Sequence, residues 1–267
     1  MTKQEFKEFC AERMIFLDGA TGSNLVKAGM PSGVSPEQWI CEHPDVMLKL
    51  QKDYVNSGTD ILYAPTFTAN RIKLSEYGLY GQMREMTEKL VQISREAAGF
   101  KTADDARLGG NVAPDKNDSV MSDGKRTYEI DPSGTVMNSS RSKRDRHVLV
   151  AGDLTMTGQQ LKPMGTMDLE TLIDVYKEQI TMLKEAGVDL LVVETMMSLA
   201  ETRAALIAAK EVCDLPVMVT LTFEKDGRTL YGTDAKTAAI VCESLGAAAL
   251  GVNCRSEEHT SELQSRL

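Results

Sequence analysis

Basic residues and long apolar runs are scarce in this chain of 267 residues. Its 30 lysines and arginines are outnumbered by 39 aspartates and glutamates, which gives a net charge of -9 and no basic face for nucleic-acid phosphates. No apolar run reaches the roughly 18 residues of a transmembrane helix, and the polar segment Met1–Arg13 does not read as a signal peptide. The sequence therefore predicts a cytoplasmic protein with neither a nucleic-acid partner nor a membrane partner.

Cysteine and histidine are too few and too scattered for several kinds of site. The five cysteines are Cys10, Cys41, Cys213, Cys242 and Cys254. In a reducing compartment such a scattered, odd set is expected to be free thiols, or one metal ligand among them, and not a disulfide framework. His43 is predicted to cap a helix, while His147 and His259 fall in segments that do not fit the fold. A Ser–His or Cys–His hydrolase is therefore not expected.

What the chain does contain is a series of short apolar runs, most of them followed by a helical pattern. Their richness in Val, Ile and Leu, without polar alternation, is typical of strands buried on both faces. The runs are Met14–Leu17, Ile61–Ala64, Val148–Ala151, Leu190–Val193, Val217–Leu221 and Ala248–Val252. The predicted starts and stops of three helices are Pro44 and Gly58, Asp168 and Gly187, and Thr233 or Asp234 with Gly246. Alternating strands and helices predict a parallel sheet with right-handed crossovers.

An open sheet and a closed barrel share this pattern, and the strand ends favour the barrel. Polar residues follow five of the six runs directly, and in a barrel all strand ends converge on one mouth. These residues are Asp18, Thr66, Asp153, Glu194 and Cys254. No GxGxxG motif follows the first run, which disfavours a dinucleotide-binding sheet. The predicted fold class is a (β/α)8 TIM barrel that stops after about six of its eight strands.

Two segments do not fit the barrel, which is predicted to span residues 1–254. Residues 104–146 are polar and are predicted to be an insertion, with a hairpin at Thr127–Val136. The tail, residues 255–267, has no apolar periodicity and resembles an in-frame translation of a sequencing-library adapter. We therefore expect the tail to be non-native, although a polar C-terminal helix is the alternative.

Two of the strand ends carry carboxylates suited to binding an amino acid. Asp18 can hold an ammonium group, and the backbone at Gly19 and Ala20 can approach a carboxylate closely. A tight turn capped by Asp18 is an equally good explanation. Glu194 follows a fully apolar run, where a carboxylate is costly unless it binds a cation, an amino group or a metal, or is satisfied by a neighbouring residue.

The other strand ends are less specific. Thr66 and Phe67 can line a pocket at the mouth, or they can begin a helix capped by Asn70. Cys254, which follows Asn253, can be a nucleophile or a zinc ligand, or an inert buried thiol.

Taken together and in order, these motifs carry a resemblance to a known family. The motifs are Asp18-Gly19-Ala20, Thr66-Phe67 with Asn70-Arg71 and Tyr77-Gly78-Leu79, Glu194-Thr195, and Gly251-Val252-Asn253-Cys254. The sequence from about Phe9 to Cys254 resembles the homocysteine S-methyltransferase family, above all the homocysteine-binding module of cobalamin-dependent methionine synthases. The resemblance implies that zinc, held by three cysteines, activates the homocysteine thiolate, which accepts a methyl group to give methionine.

The resemblance also implies a role for individual residues. Asp18 and Glu194 would bind the substrate amino group, and the backbone at Gly19 and Ala20 its carboxylate. Thr66 and Phe67 would line the pocket. Asn253 would orient the substrate or Cys254, which would be a zinc ligand. No residue is assigned as a catalytic acid or base.

The segment Asp153–Gly158 looks most like the cobalamin-dependent branch. This implies methylcobalamin as the methyl donor, with cobalamin- and folate-binding modules in the same chain or on a partner. The family's adjacent pair of zinc cysteines has no counterpart here, so the chain as written is expected to be inactive.

Two further hypotheses remain. The first is a barrel enzyme without a metal, such as a lyase with Glu194 as its base. The second is a non-catalytic fragment or amino-acid-binding barrel. If its last strands are missing, such a barrel is expected to aggregate through unpaired sheet edges.

Overall fold

The computed structural model describes residues 1–99, 128–130, 136–138 and 148–254. Helices and strands alternate along the chain, as the apolar runs predict. The helices are α1 (Lys3–Glu12), α2 (Gly22–Lys27), α3 (Pro36–Glu42), α4 (Pro44–Ser57), α5 (Arg71–Glu76), a 3-10 turn (Tyr80–Gln82), α6 (Met83–Ala97), α7 (Leu169–Glu185), α8 (Leu199–Val212) and α9 (Ala235–Ser244). The strands are β1 (Ile61–Ala64), β2 (Tyr128–Ile130), β3 (Val136–Asn138), β4 (Leu149–Leu154), β5 (Leu190–Met196), β6 (Val217–Leu221) and β7 (Ala249–Val252).

Five of these strands form one parallel sheet in the order β1-β4-β5-β6-β7. The pairing of β5 with β6 shifts between Val193 and Met196, close to the carboxyl end of β5. Because helical crossovers return the chain to the same end of the sheet, all five carboxyl ends lie on one side.

The first predicted strand, Met14–Leu17, needs correction. It contributes a single parallel bridge, between Leu17 and Ile61. The Phe16 carbonyl accepts hydrogen bonds from both the Asp60 N–H (2.7 Å) and the Ile61 N–H (3.2 Å), and the Asp60 carboxylate takes the Phe16 N–H at 3.0 Å. The segment therefore lies along β1 in the position of a strand, but a side chain replaces part of the backbone ladder.

The predicted helix boundaries are confirmed. α4 ends at Gly58, whose φ of 112° lies in the left-handed region that favours glycine. α9 follows Asp234, whose carboxylate accepts a hydrogen bond from the Thr237 N–H at 2.9 Å. α7 follows Asp168 as predicted, but this side chain makes no capping hydrogen bond and pairs instead with Lys162.

The outer face of the sheet packs against the helices and holds the larger part of the core. Val150, Leu191, Val193 and Val219 are fully buried there, against apolar side chains of α7 and α8. These residues occupy alternate positions along β4, β5 and β6, so the remaining positions face the other way.

The opposite face forms an apolar floor inside the barrel. The floor residues are Phe6, Ile61, Leu149, Ala151, Leu190, Val192 and Met218. Phe6 comes from α1 and is 1% exposed, so the first helix closes the amino-terminal end of the sheet. The floor fixes which residues point inward, and thus which side chains reach the mouth.

The predicted α/β class is confirmed, with five strands and one bridge in place of six strands. Within the predicted insertion, β2 and β3 pair antiparallel with Ile130 opposite Val136, which confirms the hairpin. The other residues of 104–146 and the tail 255–267 lie outside the described residues. In the part of the chain that the structure describes, no helix is both long and apolar enough to cross a membrane.

Candidate functional site

Two residues beyond the apolar floor, towards the carboxyl ends of the strands, the inward side chains become polar. Tyr63 follows Ile61 by two residues, Asp153 follows Ala151, and Glu194 follows Val192, so all three point into the barrel at its carboxyl end. Asp18 joins them from the segment beside β1. We call Asp18, Tyr63, Asp153 and Glu194 the mouth.

Asp18 is anchored by the neighbouring strand. The Tyr63 N–H donates to the Asp18 carboxylate at 2.9 Å, and the Asp18 N–H donates to the Ile61 carbonyl at 3.1 Å. Burial raises the pKa of the Asp18 carboxyl to about 7; the Tyr63 hydrogen bond lowers it and the charge of Glu194 raises it. Asp18 is therefore poised to gain from a cation that neutralises its charge.

The turn after Asp18 leaves backbone donors available. The Tyr54 hydroxyl donates to the Ala20 carbonyl at 2.9 Å, and a Cβ at Gly19 would lie 2.9 Å from the Tyr54 ring, so any other residue there would have to displace the ring. Neither the Gly19 N–H nor the Ala20 N–H donates a hydrogen bond within the described ranges. Both can donate to a bound carboxylate.

Glu194 is held by a residue from the last strand end. The Asn253 amide Nδ2 donates to the Glu194 carboxylate at 3.1 Å. Burial raises the pKa of Glu194 to about 7, and this hydrogen bond lowers it.

Thr195, Asn253 and Cys254 form a second group on the rim. Asn253 Nδ2 lies 2.9 Å from Thr195 Oγ1 and 3.5 Å from the Cys254 sulfur, and the Thr195 N–H donates to Asn253 Oδ1 at 3.2 Å. Thr195 (φ 58°) and Cys254 (φ 52°) both have left-handed backbones, which are uncommon for residues other than glycine. Such strain is typical of functional sites, and here it aims both side chains at Asn253.

Asp153 is the most deeply placed of the mouth carboxyls. It is 5% exposed, and its Oδ1 is buried with no hydrogen-bond partner in the part of the chain that the structure describes. Burial raises the pKa of Asp153 well above its usual range, and the charges of Glu194 and Asp18 add to this effect. The sequence placed Asp153 at a strand end but gave it no role.

Tyr63 was not singled out from the sequence, and Thr195 was named only as part of the Glu194-Thr195 motif, without a role. Burial raises the pKa of the Tyr63 phenol, and the charges of Glu194, Asp153 and Asp18 raise it further. The signal that could have found it was its spacing of two residues from Ile61, but only the floor shows which alternate set faces inward.

Thr66 and Phe67, the predicted pocket wall, lie beside the mouth. Thr66 is fully buried; its hydroxyl donates to the Asp153 carbonyl at 2.9 Å and accepts from the Asp153 N–H at 3.1 Å. Thr66 thus fixes the backbone of Asp153, while Phe67 is half-buried. The alternative reading of Asn70 is also met: its side chain caps α5 by accepting the N–H groups of Ile72 and Lys73.

The mouth does not offer the donor set that three-thiolate zinc binding needs. Cys254 is the only one of the five cysteines at the strand ends, since the others lie in or at the ends of helices α1, α3, α8 and α9. Among residues 1–99 and 148–254, no group of three or more His, Cys, Asp or Glu side chains is placed to hold a metal ion. The described residues therefore do not fit this cofactor.

The arrangement can bind a cation together with an anion. Three carboxyls converge at the mouth, and none of them forms an ion pair with a lysine or arginine of the described residues. Free backbone N–H groups lie next to Asp18. An amino acid carries the matching ammonium and carboxylate on one carbon atom.

Comparisons with known proteins give this site a context. A family model described as homocysteine S-methyltransferase matches residues 15–267. The curated relatives include methionine synthase from Mycobacterium leprae (strain TN), 23% identical over 260 residues, and methionine synthase from Mycobacterium tuberculosis (strain ATCC 25618 / H37Rv), 22% identical over 255 residues. These matches cover 92% and 91% of this chain, which spans only about 18% of the length of each relative.

Solved structures show the same fold. The metallated form of the homocysteine methyltransferase MmuM from Escherichia coli matches with a TM-score of 0.66 and 18% identity, over 95% of this chain and 79% of that one. The oxidized form matches with a TM-score of 0.64 and 19% identity, over 91% and 74%. The barrel architecture predicted from the strand ends is thus shared with these methyltransferase structures.

Proposed function

The chain belongs to the homocysteine S-methyltransferase family, and from that premise we propose that its barrel mouth binds homocysteine and presents the thiol to a methyl donor, giving methionine. The relatives named methionine synthase and homocysteine methyltransferase support this substrate. The proposal has three finer parts. They are the residues that bind homocysteine, the metal ligand, and the identity of the methyl donor.

One observation carries the proposal. The Asn253 amide contacts both the Glu194 carboxylate (3.1 Å) and the Cys254 sulfur (3.5 Å). The group suited to an ammonium and the group suited to sulfur chemistry are therefore linked through one side chain. This spacing suits a ligand that carries an amino group at one end and a sulfur atom at the other.

Asp18 and Glu194 of the mouth, and the residues around them, have distinct roles in this proposal. Asp18 and Glu194 hold the homocysteine ammonium, and the N–H groups of Gly19 and Ala20 hold its carboxylate. Asn253 keeps Glu194 and the sulfur in register. Thr66 supports the pocket by fixing the backbone of Asp153, and Phe67 supplies an apolar wall.

Cys254 is our proposed metal ligand. The family resemblance assigns zinc to a site of three thiolates, and the described residues contribute only this one. We therefore derive no step from a bound metal. Methylcobalamin as the donor, cobalamin- and folate-binding modules in the same chain or on a partner, and a cytoplasmic location are parts of the proposal that rest on the sequence.

The second candidate is an amino-acid-binding barrel that transfers no methyl group. It is favoured by the single thiol at the mouth, because a lone thiolate is a weak site for zinc. Both candidates need the same carboxyls, so binding alone does not separate them.

The test combines binding and transfer. We expect L-homocysteine and L-methionine to bind the 267-residue chain, and Glu194→Gln to weaken both about tenfold or more through loss of a charged acceptor. The matched control is Glu224→Gln, an exposed glutamate outside the mouth. Calorimetric titration measures both variants.

Methyl transfer from methylcobalamin, followed as methionine formed with and without added zinc, then separates the candidates. Transfer that is lost in Cys254→Ser supports the methyltransferase. Binding without transfer under every condition leaves the amino-acid-binding barrel, and no binding of either amino acid refutes both.

A further inference from the structure

The Asp153 carboxyl has no use in the proposal so far. It is 5% exposed, it lies one step above the apolar floor, and its Oδ1 is buried without a partner in the part of the chain that the structure describes. Its backbone, by contrast, is held on both sides by the Thr66 hydroxyl. The backbone of Asp153 is therefore held in place, while the Oδ1 of its carboxyl stays unsatisfied.

A buried acid without a partner is costly, and folding alone gives no reason for one here. The floor residues directly below are aliphatic, and a small or apolar side chain at position 153 would continue that packing. Unsatisfied buried groups in a native structure call for an explanation, and a ligand that completes the hydrogen bond is one.

The neighbours of Asp153 indicate which chemistry completes it. Asp153 pairs in register with Val192, two residues before Glu194, and Asp18 accepts the N–H of Tyr63, which pairs in register with Ala151, two residues before Asp153. The three carboxyls therefore lie at the carboxyl ends of neighbouring strands. The Tyr63 side chain follows the floor residue Ile61 by two residues and therefore faces the same way. No lysine or arginine of residues 1–99 or 148–254 pairs with any of the three.

A primary ammonium group has three N–H donors, and three carboxyls can each accept one of them. We propose that Asp153 is a third acceptor for the ligand ammonium, below Asp18 and Glu194, and that it makes the mouth selective for an unsubstituted primary amine. This inference rests on the proposed function and deepens it. A secondary amine has one donor fewer and adds a methyl group, so it leaves one buried carboxyl unpaired.

The experiment compares three ligands that share one apolar tail. They are L-methionine, N-methyl-L-methionine and 4-(methylthio)butanoate, which lacks the amino group. None carries a free thiol, so their binding does not depend on a metal at Cys254. Calorimetric titration of each ligand into the wild-type chain, Asp153→Asn and the control Glu224→Gln gives the affinities.

We expect the wild-type chain to bind L-methionine at least tenfold more tightly than its N-methyl derivative. Asp153→Asn is expected to weaken L-methionine binding by roughly ten- to a hundredfold, to narrow the discrimination against the N-methyl derivative, and to leave 4-(methylthio)butanoate binding unchanged. The control keeps wild-type values.

A thermal melt distinguishes this role from a purely structural one. Because the amide is cheaper to bury than an unpaired carboxyl, we expect the ligand-free Asp153→Asn chain to melt a few degrees higher than wild type. Asp153→Ser, which removes the group altogether, is the second variant and is expected to show the same loss of methionine binding.

The outcomes separate this inference from the proposed function. Wild-type binding of L-methionine that both variants retain overturns the role of Asp153 and leaves the proposed function intact. Binding of another primary amine in place of methionine and homocysteine, with the same loss in Asp153→Asn, overturns the proposed substrate and supports Asp153 as an amine acceptor. Lower stability in Asp153→Asn, with all three ligands weakened equally, assigns the residue a structural role and overturns the inference.

Discussion

The floor and the mouth of the barrel are built from the same strands, two residues apart. On β4 the inward side chains change from Leu149 and Ala151 to Asp153, and on β5 they change from Leu190 and Val192 to Glu194. The floor side chains on these two strands are at most 1% exposed, and their burial stabilises the fold. The mouth side chains carry raised pKa values and an unpaired oxygen, which cost stability.

This contrast teaches that stability and binding are separated along the strand axis. The same strands run through both layers, and the change from floor to mouth is mainly one of side chains, accompanied on β5 by the shift in its pairing with β6 between Val193 and Met196. Proteins commonly keep costly groups where a ligand satisfies them. Substitutions in the two layers should therefore have effects of opposite sign on the ligand-free protein.

The largest effect is expected in the floor. Leu190→Ala removes a fully buried side chain, and we expect it to lower the free energy of unfolding by about 3 kcal/mol and Tm by roughly 8 °C. Leu230→Ala, at a leucine that is 61% exposed, is the matched control and is expected to stay within about 0.5 kcal/mol of wild type. Thermal and urea unfolding measure the stability of both variants. Equal losses of stability in the two would show that the floor contributes no more to folding than an exposed site does.

An intermediate effect is expected from pH, with its origin in the mouth. The pKa of Asp18 is about 7 in the folded chain and 3.8 when unperturbed. Between pH 3.8 and about pH 7 the Asp18 carboxyl therefore stays protonated in the folded chain but is ionised in the unfolded chain. The stabilisation is full below about pH 4 and is lost as pH rises through 7, so the free energy of unfolding should fall by at least ~1 kcal/mol between pH 5 and pH 8.

Asp18→Asn tests the source of this slope. The variant should be less sensitive to pH than wild type over the same interval, and more stable at pH 8, because it carries no charge to bury. It should also bind L-methionine at least tenfold more weakly. An unchanged pH slope in urea unfolding would show that the buried charge of Asp18 contributes nothing to it.

The smallest effect is expected at a residue that belongs to neither the floor nor the mouth. Asp234→Ala removes the cap of α9, and we expect a loss of about 1 kcal/mol and a drop in Tm of roughly 3 °C, with methionine affinity unchanged. The drop in Tm measures how much the loss of one helix cap, outside the mouth, destabilises this protein. A change in affinity here would mean that the mouth is sensitive to stability itself.

Much of the fold was predictable because its signals are local. The predicted strands Ile61–Ala64 and Val217–Leu221 have the bounds of β1 and β6, and the helix ends at Gly58 and Asp234 follow from backbone conformation and capping. The family prediction is confirmed by the family model. The prediction of a strand at Met14–Leu17 was wrong because an apolar run predicts only a tendency to extend, while a ladder also needs backbone partners. Here the N–H groups of Asp60 and Ile61 both bond to the Phe16 carbonyl, and the Tyr63 N–H bonds to the Asp18 side chain.

The site was predictable in part. Asp18, Glu194, Asn253 and Cys254 do meet at the carboxyl ends of the strands, as the barrel requires, although their binding roles remain predictions. Asp153 was predicted to lie at the mouth but was given no binding role, because strands buried on both faces give no polar alternation to mark the inward side. Its inward direction becomes visible only once Leu149 and Ala151 are known to belong to the floor.

Phe6 has a consequence for the order in which the protein is made. Phe6 leaves the ribosome well before the floor that buries it is complete, because that floor includes Met218, roughly 210 residues later in the chain. At about 5 to 20 residues per second, α1 waits roughly 10 to 40 s before its binding surface is complete. During that interval the Phe6 ring has no complete apolar surface to pack against, so the synthesis of the strand that carries Met218 decides when this end of the sheet can close.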